Sequence, residues 1–298
     1  TSLFVPPQDT KAEIWEGRRA GPEGAVNNWP VNSAYSIADL RKVVSPVIDE
    51  CEHIFCITGL NSKIDSMLHD CGKEVLDPKT YLDSLRVIKS DAEIELMRKS
   101  AEIASNAHIL AMRAGKPDVG EWHLQSVIES YFTSNRAEWA YPSIVGGGEN
   151  AAILHYNSNQ DLVVDGNLVL IDAGCEVDGY ASDITRTWPV NGKFTEAQRE
   201  IYELVLKSQI AAIEACQSGA RWTSFHDASS RVIAQGLIDL GILDCSLDEA
   251  IGDSLEFNGQ YRNYFMHGTG HFLGLDVHDV GGGRPGDTDV TTQIAGLH

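Results

Sequence analysis

The stretch "LVLIDAGCEVDGYASDITRTWPV", residues 168–190, decides the fold of this 298-residue chain. Its apolar run, residues 168–171, is typical of a buried strand and ends directly at Asp172. Asp178-Gly179 is a favoured two-residue hairpin turn, and Asp183 stands where the chain returns. The sequence therefore predicts a hairpin that carries two aspartates close to each other.

Two registers of this hairpin place both aspartates on one face of the sheet. If residues 177 and 178 form the turn, Asp172 pairs directly with Asp183. If Asp178-Gly179 forms the turn, Asp172 pairs with Thr185 and lies diagonal to Asp183. Side chains alternate between the two faces of a strand, so either register keeps the two carboxylates together.

Two like charges on one sheet face repel each other, and this conflict has three resolutions. One carboxyl keeps a proton, an arginine lies between the two, or a divalent metal ion binds both. Arg186 is adjacent in sequence but points to the opposite face from Asp183. The stretch alone leaves three interpretations open: a metal site, a proton-sharing pair and unrelated structural carboxylates.

A second cluster is "HGTGHFLGLDVHDV", residues 267–280, with three histidines in twelve positions. His267 and His271 are spaced like zinc ligands on a helix, but glycines lie between them and no glutamate follows the first histidine. We therefore expect strand and loop, in which His278 joins the other two through a bend. A cluster of three histidines is poorly explained by packing and indicates a functional site.

A third candidate is His155, within the strand-like run "ILHYN" at residues 153–157, one strand before Asp172. The glycines of residues 146–148 precede it. No lysine and hydroxyl pair follows them, so they are interpreted as turn glycines rather than a phosphate-binding loop.

The first 80 residues alternate between short strands and helices. The predicted strands are residues 2–6, 12–18 and 53–59, and the predicted helices are residues 36–50 and 61–72. This pattern indicates a small α/β unit that ends near residue 82 and begins partway through a domain.

The remaining chain, residues 83–298, predicts helix, helix and strands, twice in succession. Capping boxes at Ser90 with Glu93 and at Thr195 with Gln198 open the first helix of each set. The second helices are expected over about 121–132 and 225–240. The order suggests two similar halves around one sheet, an α+β architecture.

Composition excludes several classes of partner. The chain has 43 acidic and 23 basic residues, a net charge of −20, which argues against nucleic-acid binding. No apolar run approaches the length of a membrane span, so we expect no membrane association. Six cysteines without a CxxC pair indicate a reducing intracellular compartment, either cytoplasm or mitochondrion.

Together these segments resemble the pita-bread-fold metallopeptidases, and the Xaa-Pro aminopeptidase (aminopeptidase P) branch in particular. The stretches that carry the resemblance are "LRVIKSDAEIELMRKSAEIAS", "YPSIVGGGENAAILHYN", "LIDAGCEVDGYASDITRTWPV" and "HGTGHFLGLDVHDVG". The resemblance implies a pita-bread catalytic domain with pseudo-two-fold halves over residues 83–298. It also implies that residues 1–82 are the later part of a small α/β N-terminal domain.

By this resemblance, the chain is a hydrolase that cleaves between an N-terminal residue and a following proline. Two divalent metal ions, usually Mn²⁺, activate the water. The implied metal ligands are Asp172, Asp183 and His271, and the implied catalytic residues are His155, His267 and His278. The implied partners are peptides with proline at the second position and, in the full-length protein, further copies of the same chain.

The resemblance is incomplete at the C-terminal end. The family completes its site with two glutamates on strands after the histidine motif, whereas the last glutamate here is Glu256. Asp287 and Asp289 are poor substitutes in a Gly- and Thr-rich tail. We therefore expect a chain truncated at both ends, without its last strands, and with little or no activity. Prolidase-type dipeptidase and a non-catalytic pita-bread binding module remain alternatives.

Overall fold

The computed structural model describes residues 1–253 and 258–281, and the chain separates after Leu82 into two units. The strands of the first unit are β1 (Ser2–Val5), β2 (Ser33–Ser36), β3 (Ile54–Phe55) and β4 (Val75–Leu76). Its helices are α1 (Thr10–Glu16), α2 (Gly21–Asn28), α3 (Leu40–Glu50) and α4 (Ser62–Asp70). β1 pairs with β2 and β3 with β4, both in parallel, and Ile48, Met67 and Leu68 form a small core.

The prediction of a strand over residues 12–18 is wrong, because α1 occupies most of that stretch. Asp9 caps this helix by accepting hydrogen bonds from the backbone N–H groups of Lys11 at 2.9 Å and Ala12 at 3.2 Å. Ile14 and Trp15, which suggested a strand, are 78% and 89% exposed. A strand forms only where a neighbour pairs with it, and here the N-cap decides the local structure.

Helix α5 (Lys79–Val87) leads into the second unit, which begins at Asp83. The helices there are α6 (Asp91–Ala114), α7 (Glu121–Ser134), α8 (Glu196–Ala215), α9 (Ser224–Asp239) and α10 (Leu247–Ile251). The strands are β5 (Val119–Gly120), β6 (Glu138–Trp139), β7 (Ile144–Gly147), β8 (Leu162–Val163), β9 (Leu168–Asp172), β10 (Cys175–Val177), β11 (Tyr180–Ala181) and β12 (Thr185–Pro189).

The central sheet has the strand order β12-β9-β7, and both pairings are antiparallel. Its apolar face packs against α6 and α7 around fully buried residues such as Leu124, Ile128, Val169 and Ile171. Because the apolar side chains of the strand that ends at Asp172 are buried in this core, the core fixes the position of the Asp172 carboxylate.

The hairpin adopts the register in which Asp178-Gly179 is the turn. Both turn residues have positive φ, 50° at Asp178 and 84° at Gly179, as a tight hairpin turn of this kind requires. Asp172 lies opposite Thr185 on β12 and opposite Ile144 on β7.

The predicted helix starts are confirmed. The Ser90 and Thr195 side chains cap α6 and α8, and the reciprocal bonds from Glu93 and Gln198 complete both capping boxes. Gly115 follows the last residue of α6.

The strand expected around residues 153–157 is absent. A 3-10 helix (Gly148–Ala152) precedes that stretch, and an exposed loop follows. The buried Glu121 carboxylate accepts hydrogen bonds from Gly147 N–H, Asn150 and Tyr156, so it satisfies polar groups that strand pairing would otherwise occupy.

The second half matches its prediction only in its helices. Helices α8 and α9 pack together, and the buried hydroxyls of Ser208 and Ser229 lie 2.6 Å apart between them. The stretch 264–281, predicted as strand and loop, contains no strand. In the part of the chain that the structure describes, no strand follows Pro189. No described helix is both long and apolar enough to span a membrane.

Candidate metal and catalytic site

Asp172 and Asp183 meet at a tyrosine that the sequence did not single out. Tyr141 Oη lies 2.5 Å from Asp172 Oδ1 and 2.9 Å from Asp183 Oδ1. The Tyr141 hydroxyl has a single proton, so the two carboxylates share one hydrogen-bond donor. Hence the two aspartates form one coupled pair.

The two members of this pair hold protons with different affinity. Burial, together with the charge of Asp183, raises the pKa of Asp172 above its ordinary value. Burial also acts to raise the pKa of Asp183, but hydrogen bonds from His271 and Tyr141 outweigh it and lower that pKa. Burial and the neighbouring carboxylates raise the pKa of Tyr141, so its hydroxyl stays protonated and remains a donor.

His271 contacts this pair through Asp183. Its Nε2 lies 3.0 Å from Asp183 Oδ2, and its Nδ1 lies 2.9 Å from the carbonyl oxygen of Phe272. The hydrogen bond to Asp183 is the main reason that the pKa of His271 is raised. A backbone carbonyl at Nδ1 is the usual arrangement for a histidine whose Nε2 ligates a metal ion.

The other three candidate histidines differ in their distance from this group. The ring of His278 packs against that of His271, with centroids 4.1 Å apart. His267 is exposed; its Nδ1 lies 2.7 Å from the Gly268 carbonyl, and its ring contacts Phe265 edge-on. His155 lies in the exposed loop after the 3-10 helix. Within residues 1–253 and 258–281, no hydrogen bond joins His155 or His267 to the aspartate pair.

Sequence reasoning missed Tyr141 because nothing local marks it. It lies 31 residues before Asp172 and immediately before Pro142, outside any periodic segment. The signal that would have found it is the pairing of β7 with β9, which places Ile144 opposite Asp172. That pairing is not legible in the sequence alone.

The chemistry of this group of side chains fits a divalent cation. Two partly buried carboxylates and one imidazole supply hard and borderline donors, and the repulsion of the pair favours an added positive charge. As the side chains lie, Tyr141 stands between the carboxylates, and no three His, Cys, Asp or Glu groups in the described residues are gathered tightly enough to hold a metal ion. Glu256, Asp287 and Asp289 lie outside the described residues.

Two family models match the chain. Residues 95–293 match metallopeptidase family M24, and residues 1–55 match the aminopeptidase P N-terminal domain. The chain is 43% identical to Xaa-Pro aminopeptidase of Haemophilus influenzae over 283 residues, which cover 94% of this chain and 65% of that protein. The chain thus spans less than two thirds of this relative's length.

Solved structures show the same likeness. Aminopeptidase PepP of Pseudomonas aeruginosa superposes with a TM-score of 0.87 at 39% identity, covering 95% of this chain and 67% of that one. A zinc-substituted aminopeptidase P of Escherichia coli in complex with product also has a TM-score of 0.87, at 36% identity, covering 94% and 66%. These likenesses confirm the predicted α+β pita-bread fold and the resemblance on which it was based.

Proposed function

The chain belongs to metallopeptidase family M24, and on that premise we propose that it is a metal-dependent exopeptidase of the Xaa-Pro aminopeptidase type. The proposed reaction is hydrolysis of the peptide bond between an N-terminal residue and a following proline. One observation carries the proposal: His271 directs Nε2 at Asp183 while the Phe272 carbonyl holds its Nδ1. This orientation suits a metal ligand beside two coupled carboxylates.

The proposed metal ligands are Asp172, Asp183 and His271. Divalent cations at this place, which we take to be two Mn²⁺, supply Lewis acidity toward a peptide carbonyl when bound. Asp172 must lose its proton to become a ligand, so its raised pKa makes cation binding compete with protonation. Tyr141 remains a neutral donor and can turn its hydroxyl toward whichever carboxylate oxygen is left free.

The proposed catalytic residues are the three remaining histidines. His278 packs on His271, a position from which its ring can move a proton to or from a bound peptide. His155 shares this role of proton transfer and of hydrogen bonding to the developing oxyanion. His267, together with His278, shapes the pocket for the proline ring.

We extend the proposal to the organisation of the whole protein. Residues 1–82 are part of an N-terminal domain, and residues 83–298 belong to the catalytic domain. The substrates are peptides with proline at the second position. The full-length protein is a homo-oligomer, and it acts inside the cell, in cytoplasm or mitochondrion.

The test is hydrolysis of Ala-Pro-Ala by the 298-residue chain, with Mn²⁺ and with a chelator. Mn²⁺-dependent release of free alanine supports the proposal, and Asp183→Asn should abolish it. Cleavage of the dipeptide Ala-Pro alone would indicate a prolidase-type activity. The last glutamate of this chain is Glu256, so we expect turnover to be low. If the folded chain binds Mn²⁺ but shows no detectable hydrolysis of either peptide, it is a non-catalytic module and the proposed function is wrong.

A further inference from the structure

The segment that carries His271 and His278 has no regular secondary structure to hold it. We propose that Asp279 is a positioning residue for this segment. The buried Asp279 carboxylate, which binds Lys89 and Arg86, holds the segment so that His271 stays in contact with Asp183 and His278 stays packed against His271. This proposal rests on the proposed function. Asp279 itself touches no reacting atom.

The carboxylate of Asp279 is buried, and its hydrogen bonds come from three groups. Its side chain is 1% exposed, and Lys89 Nζ donates to Oδ2 at 3.0 Å. Arg86 Nη2 donates to Oδ1 at 2.5 Å, and the backbone N–H of Val280 donates to the same oxygen at 2.9 Å. Burial acts to raise the pKa of Asp279, but the bonds from Lys89 and Val280 outweigh it and lower that pKa. A buried carboxylate with such partners is a firm attachment point.

Arg86 lies in the last turn of α5, and Lys89 lies in the connection between α5 and α6. Lys89 directly precedes Ser90, the N-cap of α6. Glu93 completes the capping box by accepting from Ser90, and it also accepts a hydrogen bond from the hydroxyl of Tyr180 at 2.7 Å. Tyr180 belongs to β11, two residues before Ser182 and three before Asp183. The start of α6 therefore holds both sides of the site.

The backbone of the histidine segment folds back around Asp279. The Asp279 N–H donates to the Phe272 carbonyl at 3.0 Å. Asp279 follows His278 and Phe272 follows His271, so this bond brings the backbone at the two histidines together. The Gly274 carbonyl accepts from Ala181 N–H of β11 at 2.8 Å. A Cβ on Gly274 would collide with the Asp279 carboxylate and with Lys89, so the carboxylate packs directly on this backbone.

A matched control exists on the same guanidinium. Arg86 Nη2 also donates to Asp276 Oδ2 at 2.5 Å, but the Asp276 side chain is 65% exposed. Exposed ion pairs contribute little, whereas removing one charge from a buried cluster leaves the others uncompensated. Asp279→Asn and Asp276→Asn therefore make the same chemical change in two environments, at positions three residues apart in the sequence.

The experiment uses the 298-residue chain with labelled histidines and measures the NOE between the ring protons of His271 and His278, whose centroids are 4.1 Å apart. Asp279→Asn should weaken this NOE strongly and lower kcat on Ala-Pro-Ala roughly ten- to hundred-fold. Its KM should change less than kcat, because the histidines that move do not supply most of the binding. Asp276→Asn should retain the NOE and kcat within about two-fold.

The proposal is overturned if Asp279→Asn keeps the wild-type NOE and a kcat close to that of Asp276→Asn. If Asp279→Asn does not fold, Lys89→Met and Lys89→Arg replace it: the first should lose the NOE, and the charge-retaining second should keep it. If the wild type hydrolyses no Xaa-Pro peptide, the proposed function fails, while the NOE measurement still decides whether Asp279 positions the histidines.

Discussion

Two carboxylate sites in the second unit, Glu121 and the pair Asp172 and Asp183, differ in their burial and in the hydrogen-bond donors that the protein supplies to them. Glu121 is 0% exposed, and its two oxygens accept from four donors: Gly147 N–H, Asn150, Tyr156 and Asp161 N–H. Asp172 and Asp183 are less buried, share the hydroxyl of Tyr141, and face each other. The Glu121 carboxylate has four hydrogen-bond donors from the protein. Asp172 and Asp183 share one tyrosine hydroxyl, repel each other, and can still accept further bonds.

This difference separates a structural carboxylate from a functional pair. The partners of Glu121 come from both ends of the stretch 147–161, so the carboxylate closes the base of the loop that carries His155. The aspartate pair closes no loop of its own, and its unused capacity is suited to a cation.

Removal of the Glu121 carboxylate should have the largest effect on stability. Glu121→Ala removes a fully buried carboxylate that accepts from four donors and leaves a cavity behind, which should cost about 4 kcal/mol of unfolding free energy. Urea unfolding measures this loss. The exposed Glu149 is the matched control, and Glu149→Gln should stay within about 0.5 kcal/mol of the wild type. Equal losses of unfolding free energy in the two variants would show that the Glu121 carboxylate has no special structural role.

Mn²⁺ should stabilise the folded chain through the aspartate pair. Binding to the folded state alone adds about 2.7 kcal/mol at a free concentration 100 times Kd, seen as a rise in Tm. Asp183→Asn should reduce the rise by about half or more at the same Mn²⁺ concentration. Glu121→Gln should lower Tm and yet keep the Mn²⁺ response, because its carboxylate is not available to a cation. A response that disappears with Glu121→Gln and survives Asp183→Asn would reverse the assignment of the two sites.

Tyr141→Phe should have a smaller effect in the metal-free chain. It removes the one hydroxyl that contacts both carboxylates, and the expected loss is about 1 kcal/mol. The matched change at the other site is Tyr156→Phe, which removes one donor of several from Glu121. A loss for Tyr141→Phe that is no greater than that for Tyr156→Phe would mean that the pair does not depend on its shared donor.

The smallest expected effect is on the pH dependence of stability. The pKa of Asp172 is raised in the folded state, so its contribution favours folding at low pH and is lost as pH rises through that folded pKa. The pKa of Asp183 is lowered, so its contribution is lost as pH falls through its own folded pKa. Asp172→Asn resembles the protonated carboxyl and should remove only the first trend in metal-free chain. Unfolding curves with an unchanged pH dependence would contradict this.

Local signals in the sequence predicted the hairpin and the helix starts. Asp178-Gly179 marked one of the two registers left open, and that register forms. The capping boxes at Ser90 and Thr195 predicted the starts of α6 and α8. These features depend on residues within a few positions of each other, so a sequence pattern contains the whole interaction.

The errors and omissions depend on distant partners. Residues 153–157 looked like a strand, but Glu121, 35 positions before Tyr156, accepts from the Tyr156 hydroxyl and from Asn150 just before this stretch. Tyr141 and Asp172 meet through β-sheet pairing, and Lys89 and Asp279 meet across 190 positions. No periodicity reports such contacts, so the side chains that surround and position the candidate ligands were not predictable.

The most direct measurement is equilibrium binding of Mn²⁺ to the 298-residue chain, to Asp172→Asn, Asp183→Asn and His271→Ala, and to Glu121→Gln as control. We expect Asp172→Asn, Asp183→Asn and His271→Ala each to weaken binding by about ten-fold or more, and Glu121→Gln to bind like the wild type. We also expect proton release on binding, because Asp172 and His271 have raised pKa values. Wild-type affinity in Asp172→Asn, Asp183→Asn and His271→Ala would show that this group is not the metal site.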